Sequence, residues 1–144
     1  YEISNFAKIG RESRHNLKYW RCEPYLGIGP AAHSFFAGKR FASAPDLCRF
    51  CEAAESGIFG DLTLAHGQAG GADERMMLAL RLRQGVLIEE LMHVIRTECA
   101  EKARRFLRQL CDHALAEAVS GRFALTPRGF LVSNEILSEI LTFL

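Results

Sequence analysis

Hydrophobic residues in the second half of the chain recur at helical spacing. Val132, Ile136, Ile140 and Leu144 follow one another every four residues, which predicts a final amphipathic helix. Thr126-Pro127 ahead of them is typical of an N-cap followed by the first helical position. The same reasoning predicts three earlier helices. The first runs from Asp73 as N-cap to Gly85, the second has its apolar face at Leu87, Leu91, Val94 and Ile95, and the third covers 98–119 and ends at Gly121. A short strand is predicted at Arg122–Leu125.

The first part of the chain alternates instead between short strands and loops. Glu2–Phe6 alternates in polarity like a short strand, and Pro24–Pro30 predicts a buried strand that ends in a tight glycine turn. Phe35–Phe41 predicts a hairpin with Gly38-Lys39 near its tip. A helix should begin after Ala44-Pro45-Asp46, place Leu47, Phe50 and Cys51 on one face, and end at Gly57.

A glycine-rich stretch separates these two parts. Gly57, Gly60, Gly67, Gly70 and Gly71 fall within it, and few large apolar residues follow Leu64. Such a stretch is typical of a loop or linker. The sequence therefore predicts a first domain over 1–56, a linker over 57–72 and a mostly helical domain over 73–144.

Composition narrows the class of protein. With 49% hydrophobic residues the chain is globular, and its net charge of +1 gives no electrostatic drive toward nucleic acid or an anionic membrane. No apolar run approaches the about 20 residues of a membrane span, and no signal peptide is visible. Because the chain starts at Tyr1, already in strand-like sequence, we expect it to be a fragment that lacks an N-terminal part.

Five irregularly spaced cysteines make a poor disulfide framework, which favours a reducing compartment, the cytoplasm. Cys48 and Cys51 form a CxxC pair, but no second pair completes a zinc site. We therefore expect them to be buried apolar residues rather than metal ligands.

Two segments near the start carry the candidate chemistry. His15-Asn16-Leu17-Lys18-Tyr19-Trp20 offers an imidazole, an amide and two aromatic rings, and Gly27–Ser34 is a glycine-rich turn with His33 near its end. Imidazole ligates heme iron, aromatic rings stack, and glycine lets a backbone approach a cofactor, which together suit a large planar ligand. The alternatives are structural: a loop histidine bonded to the backbone, and aromatic rings that fill the core.

The motifs YEISNFA, HNxxYW and YLGIGPxAHS, in this order, resemble those of the HemW family of heme chaperones. That family belongs to the radical S-adenosylmethionine (SAM) proteins related to oxygen-independent coproporphyrinogen III oxidase. The resemblance implies an α/β fold, with the last strands of a partial radical SAM β/α barrel followed by a winged-helix-like C-terminal domain.

The resemblance also implies site residues. Heme would be bound by the four residues of the HNxxYW motif, with His15 as the iron ligand: His15, Asn16, Tyr19 and Trp20. SAM would lie near Asn5, Gly27, Gly29 and His33. The chain has Ala31 where the family often has Gly. The implied partners are heme or porphyrin and heme-acceptor proteins, and the full-length cofactors are heme, SAM and a [4Fe–4S] cluster.

Two other functions remain open at this point. The first is a coproporphyrinogen III oxidase, which decarboxylates two propionates of its substrate; the intact HNxxYW motif favours the chaperone. The second is a free-standing interaction module over 73–144. Because no C-x3-C-x2-C spacing occurs here, we expect this stretch alone to perform no radical chemistry. The basic residues within 98–119 are offset by acidic ones, which indicates a solvated helix face rather than a nucleic-acid interface.

Overall fold

A computed structural model of the chain describes residues 1–58 and 63–144, with 63–68 described through their backbone alone. It is a mixed α/β structure with small sheets. In chain order the elements are α1 (Arg14–Trp20), β1 (His33–Phe36), β2 (Lys39–Ser43), α2 (Leu47–Ser56), β3 (Thr63–Gln68), α3 (Ala72–Ala79), β4 (Val86–Leu87), α4 (Ile88–Val94), a 3₁₀ turn (Thr97–Cys99), α5 (Ala100–Asp112), β5 (Ala116–Val119), β6 (Arg122–Leu125), α6 (Pro127–Leu131) and α7 (Ser133–Leu141).

The chain divides into two compact units. One comprises Tyr1–Arg21 together with Ala72–Leu144, and the other is Cys22–Gly71. This division differs from the domains expected from the sequence, because the first 21 residues join the helical part. An antiparallel bridge between Glu2 and Leu82 and the contacts of α1 with α3 make that connection.

The larger unit packs its helices around a three-stranded antiparallel sheet of order β4-β6-β5. α5 buries Ala103, Leu107 and Leu110 at helical spacing, which forms one wall of the core. The fully buried side chains in this core include Leu80, Leu91, Phe123, Leu125, Ile140 and Phe143. Burial of such a side chain is worth about 1.5–3 kcal/mol, so this core is the main source of stability in the unit.

The smaller unit is a three-stranded antiparallel sheet of order β1-β2-β3 with α2. The hairpin expected at Phe35–Phe41 is confirmed, with Ala37 and Gly38 at positive φ between the strands. α2 also forms as expected: the Asp46 side chain accepts a hydrogen bond from the Arg49 amide, and Gly57 ends the helix in the left-handed region.

Several expectations for the first part are wrong. Glu2–Phe6 makes only a single bridge, because the Glu2 carboxylate accepts hydrogen bonds from Ser4 and Asn5 and so closes a local turn. The segment before β1 is not a buried strand, since only Tyr25 bridges to Phe35 while Leu26 and Ile28 are exposed.

The predicted linker contains a strand. β3 pairs with β2 over Thr63–Gln68, so the prediction of a loop from glycine content is wrong for this stretch. Residues 59–62 of the predicted linker lie outside the described residues. On α2, Leu47 and Cys51 are exposed, and the side chain that the helix buries is Ala53. The apolar face predicted for this helix is therefore wrong.

The helical part differs at its boundaries. α3 ends at Ala79 rather than near Gly85, and Asp73 lies inside its first turn rather than at its N-cap. The helix predicted over 98–119 ends at Asp112; the chain reverses at Ala114, with φ +55°, into β5, which pairs with β6. Helical periodicity continued through this segment, but strand pairing with β6 prevailed.

The end of the chain was predicted more closely. β6 and the Thr126 N-cap with Pro127 at the first turn are confirmed. The predicted last helix is broken at Val132 into α6 and α7, and the buried positions Ile136 and Ile140 lie on α7.

Candidate functional site

α1 carries the HNxxYW segment on a short helix. The Ser13 side chain accepts a hydrogen bond from the Asn16 amide at 3.2 Å, which caps the helix at its first turn. α1 begins at Arg14 and ends at Trp20, so all four predicted heme residues lie on this one helix.

His15 and Tyr19 are one helical turn apart and face the same side of α1. The Tyr19 hydroxyl lies 2.7 Å from His15 Nε2, a hydrogen-bond distance, and the two rings meet edge to face with centroids 5.0 Å apart at 86°. His15 is exposed and Tyr19 is half-buried. This pair therefore presents an imidazole to solvent, with a hydroxyl that fixes the ring from one side.

The contact with Tyr19 engages Nε2 of His15, so the ring nitrogen left for a metal is Nδ1. When Nε2 carries the proton and donates to the Tyr19 oxygen, the lone pair of Nδ1 points away from the pair and can ligate iron. In metal sites, an outer partner bonded to the second ring nitrogen fixes the tautomer and orientation of the ligating histidine. The Tyr19 phenol stands in the position of such a partner at Nε2. The geometry is suited to a metal ligand of this kind.

Asn16 and Trp20 lie on the adjacent, inward side of the helix. The Asn16 side-chain amide donates to the Tyr1 hydroxyl at 3.1 Å. The Arg81 guanidinium carbon lies 5.0 Å from the centroid of the Trp20 ring, a cation–π contact between α1 and the segment after α3. These two motif residues therefore anchor α1, while His15 and Tyr19 face outward.

Glu2 is a buried carboxylate that the sequence reasoning missed. It is 1% exposed and accepts hydrogen bonds from the Ser4 amide at 3.1 Å, from the Ser4 hydroxyl at 3.1 Å and from the Asn5 side-chain amide. Burial alone would raise the pKa of Glu2, but the hydrogen bonds from Ser4 and Asn5 together outweigh it and hold the pKa below its ordinary value.

Asn5, the predicted SAM residue of this segment, is exposed. Its amide nitrogen is held by the Glu2 carboxylate, so Glu2 orients the Asn5 side chain. The signal for Glu2 was a charged residue between Tyr1 and Ile3 in a segment predicted to be half-buried.

The glycine-rich turn has a structural explanation at one of its glycines. A Cβ added at Gly27 would lie 2.2 Å from the His33 carbonyl oxygen, and the Gly27 amide donates to the Ser34 hydroxyl at 3.0 Å. Gly27 is therefore required by backbone packing of the turn against β1. Gly29 has φ +120° and open space where a Cβ would stand, and His33 is exposed at the start of β1.

The predicted residues fall into two sets. Asn5 and His15–Trp20 lie in the unit that contains the helical core, whereas Gly27, Gly29 and His33 lie in Cys22–Gly71. The structure brings the four heme residues together on α1, and it brings Gly27 and His33 together in the turn.

The cysteines do not form a cluster-binding set. Cys48 and Cys51 are exposed on α2, so the expectation that they are buried is wrong; the buried cysteine is Cys22. None of the five cysteines, all of which the structure describes, forms a disulfide. Among the described side chains, those of residues 1–58 and 69–144, no group of three or more His, Cys, Asp or Glu is placed to hold a metal ion.

No helix in the described part of the chain is long and apolar enough to cross a lipid bilayer.

Comparison with known proteins gives a consistent family. The HemN C-terminal domain family matches residues 72–132. The heme chaperone HemW of Lactococcus lactis is 30% identical over 143 residues, and that of Bacillus subtilis is 32% identical over 142 residues; each alignment covers 98% of this chain but 37% and 38% of the relative. The mitochondrial radical S-adenosyl methionine domain-containing protein 1 of Mus musculus is 61% identical over 36 residues, 25% of this chain and 8% of that protein.

The chain thus spans a little over a third of the length of the HemW relatives that it matches. No solved structure gives a significant match. Similarity to HemW extends over nearly the whole chain, and the HemN C-terminal domain matches from α3 to the start of α7. Residues 72–132 of the chain thus match the HemN C-terminal domain family, and nearly the whole chain is similar to part of the heme chaperone HemW.

Proposed function

We propose that this chain is the part of a HemW-like heme chaperone that presents His15 to heme iron, in a protein that passes heme to acceptor proteins. The observation that carries the proposal is the exposed His15 imidazole with the Tyr19 hydroxyl 2.7 Å from its Nε2. The similarity to proteins named heme chaperone HemW over 98% of the chain supports it.

The chemistry follows from the side chains of α1. The neutral imidazole of His15 would hold the iron of heme. The Tyr19 hydroxyl engages Nε2, which leaves Nδ1 as the nitrogen that would ligate iron, and the Tyr19 ring beside the imidazole would cover one part of a flat ligand. Asn16 and Trp20 keep α1 docked on its own unit through Tyr1 and Arg81. An exposed ligand on a surface helix is suited to transfer, because an acceptor protein can approach the same iron.

The remaining site assignments belong to the same proposal. In the longer protein, SAM would lie near Asn5, Gly27, Gly29 and His33, and a C-x3-C-x2-C segment outside this chain would hold the [4Fe–4S] cluster. Residues 1–56 would form the C-terminal part of the radical SAM β/α barrel of that protein. The order α3-β4-α4-α5-β5-β6 supports a winged-helix-like C-terminal domain. Reduced thiols support a cytoplasmic location.

The test is hemin binding by the 144-residue chain, followed by the Soret band. His15→Ala should weaken binding by at least about tenfold and shift the band, because loss of a ligand costs no less than loss of its outer partner. His113→Ala is the matched control, since it removes another exposed imidazole, just after α5, and should bind like the wild type. Unchanged affinity and spectrum in His15→Ala would refute the proposal.

A second measurement distinguishes the related enzyme. If the longer protein decarboxylates coproporphyrinogen III, the function is that of the oxidase and the chaperone proposal fails. If it binds heme through His15 without consuming that substrate, the chaperone proposal stands.

A further inference from the structure

Two buried donors next to α1 have no acceptor. Trp20 Nε1 and Arg81 Nε are both inaccessible to solvent and make no hydrogen bond within the described part of the chain. They belong to the same cation–π pair, whose ring and guanidinium lie 5.0 Å apart. Buried donors in native proteins nearly always have a partner, so a pair of them in one place calls for an acceptor.

A cavity of about 230 Å³ opens beside Trp20. Trp20 forms part of its wall, three arginines line it, and the carboxylate on its wall is that of Glu90; the arginines are Arg21, Arg75 and Arg122. Arg122 is fixed there, because its Nε and Nη2 donate to the carbonyl oxygens of Gln84 and Gly85 at 2.9 and 2.8 Å. The cavity therefore combines an excess of positive charge with the ring of Trp20, whose indole donor lacks an acceptor within the described residues.

These features indicate the chemical class of the ligand. Guanidinium groups bind carboxylates through charge-assisted, often paired hydrogen bonds. The volume is below the about 300–1,000 Å³ typical of sites that enclose a drug-sized molecule, so the cavity fits one acidic group rather than a whole macrocycle. Trp20 follows His15 by five residues, about 7.5 Å of helix rise, so a molecule held at His15 has this cavity near the other end of the same helix.

We propose that the cleft lined by Trp20, Arg21, Arg75 and Arg122 binds a carboxylate. The identity of its carrier rests on the proposed function: it is a propionate of the porphyrin held by His15, rather than a free carboxylate. The proposal gives Trp20 a second role besides anchoring α1, because its ring forms part of the wall of the cleft.

The first experiment tests the cleft without heme. Trp20 is the single tryptophan, so fluorescence of the 144-residue chain excited at the indole band reports this site alone. Titration with sodium propionate at low ionic strength should give a saturable change in emission. The change should be lost in Arg75→Gln and kept in Arg105→Gln, a matched control on an exposed arginine of α5 outside the cleft. A non-saturable change, or one that is equal in wild type and Arg75→Gln, would overturn the proposal.

The second experiment identifies the carrier. Hemin and hemin dimethyl ester differ only in their carboxylates, and both report through the Soret band. Arg75→Gln should weaken hemin binding by about tenfold and leave the ester unchanged. If wild type and Arg75→Gln bind hemin equally while the wild type still binds propionate, the ligand of the cleft is a free carboxylate and not the porphyrin. If hemin fails to bind the wild type at all, the heme proposal falls, and the propionate titration still decides the cleft.

Discussion

Tyr19→Phe tests the arrangement of the heme site most directly. The substitution removes one hydroxyl and keeps the ring that meets His15 edge to face with centroids 5.0 Å apart. It therefore deletes the 2.7 Å contact with Nε2 and leaves the ring contact in place. His15 then loses the group that engages Nε2 and holds the orientation of its ring.

The expected magnitude follows from the position of the pair. A neutral hydrogen bond contributes about 0.5–1.5 kcal/mol net, which corresponds to about two- to twelvefold in heme affinity. Removal of the outer partner of a buried metal ligand lowers metal affinity by about 10–100-fold. Because His15 is exposed, water can replace part of the lost bond, and we expect the effect at or below the lower end of that range.

The assay is hemin titration of wild type, Tyr19→Phe and Tyr19→Leu, with the Soret maximum recorded for each. Tyr19→Leu removes the ring as well, so it should weaken binding further if the ring covers the porphyrin. Heat denaturation of each variant shows whether α1 remains folded. If Tyr19→Phe binds hemin with wild-type affinity and an unchanged Soret band, the hydroxyl does not position His15 and the reasoning is refuted.

Three further outcomes are expected. Gly129→Ala should destabilise the fold by about 1–3 kcal/mol in urea denaturation, because the new Cβ would lie 1.9 Å from the Leu115 carbonyl oxygen; a change near zero would contradict this packing. The pKa of Glu2 is lowered on folding, so its carboxylate stabilises the native state above pH 4.5, its ordinary value, and this contribution is lost as the pH falls through the lowered pKa. Glu2→Gln should therefore reduce the loss of stability between pH 6 and pH 3, and an unaltered pH profile would argue against it. Cys48 should react with a thiol reagent in the folded protein, whereas Cys22, which is buried, should react only on unfolding; equal rates would show that the burial is wrong.

The site was visible in the sequence only in part. Residue type and spacing identified His15, Asn16, Tyr19 and Trp20 as candidates, because imidazole and aromatic rings within six residues suit a planar ligand. Their division into an outward pair and an inward pair is set by what packs on each side of α1. That depends on Tyr1 and Arg81, which are remote from one another in the sequence.

The arginine cleft lay beyond sequence reasoning for the same reason. Arg21, Arg75 and Arg122 are separated by about fifty residues each, and no local pattern relates them. They line one cavity because α1 contacts α3 and because Arg122, at the start of β6, donates to the carbonyl oxygens of Gln84 and Gly85.

The sequence by itself determined the elements whose signals are local. The start of α2 after Asp46, the Thr126 cap and the apolar positions Ile136 and Ile140 depend on neighbours a few residues away, and each was found where it was predicted. The hairpin was also found, with its turn at Ala37-Gly38, one residue before the predicted tip. The tertiary structure decided what depends on distant partners. β5 is a strand because β6 is present to pair with it, although its apolar spacing continues that of α5. β3 forms within glycine-rich sequence because β2 offers it an open edge. Local periodicity measures which faces are apolar, whereas long-range hydrogen bonding and burial decide which of the compatible structures is adopted.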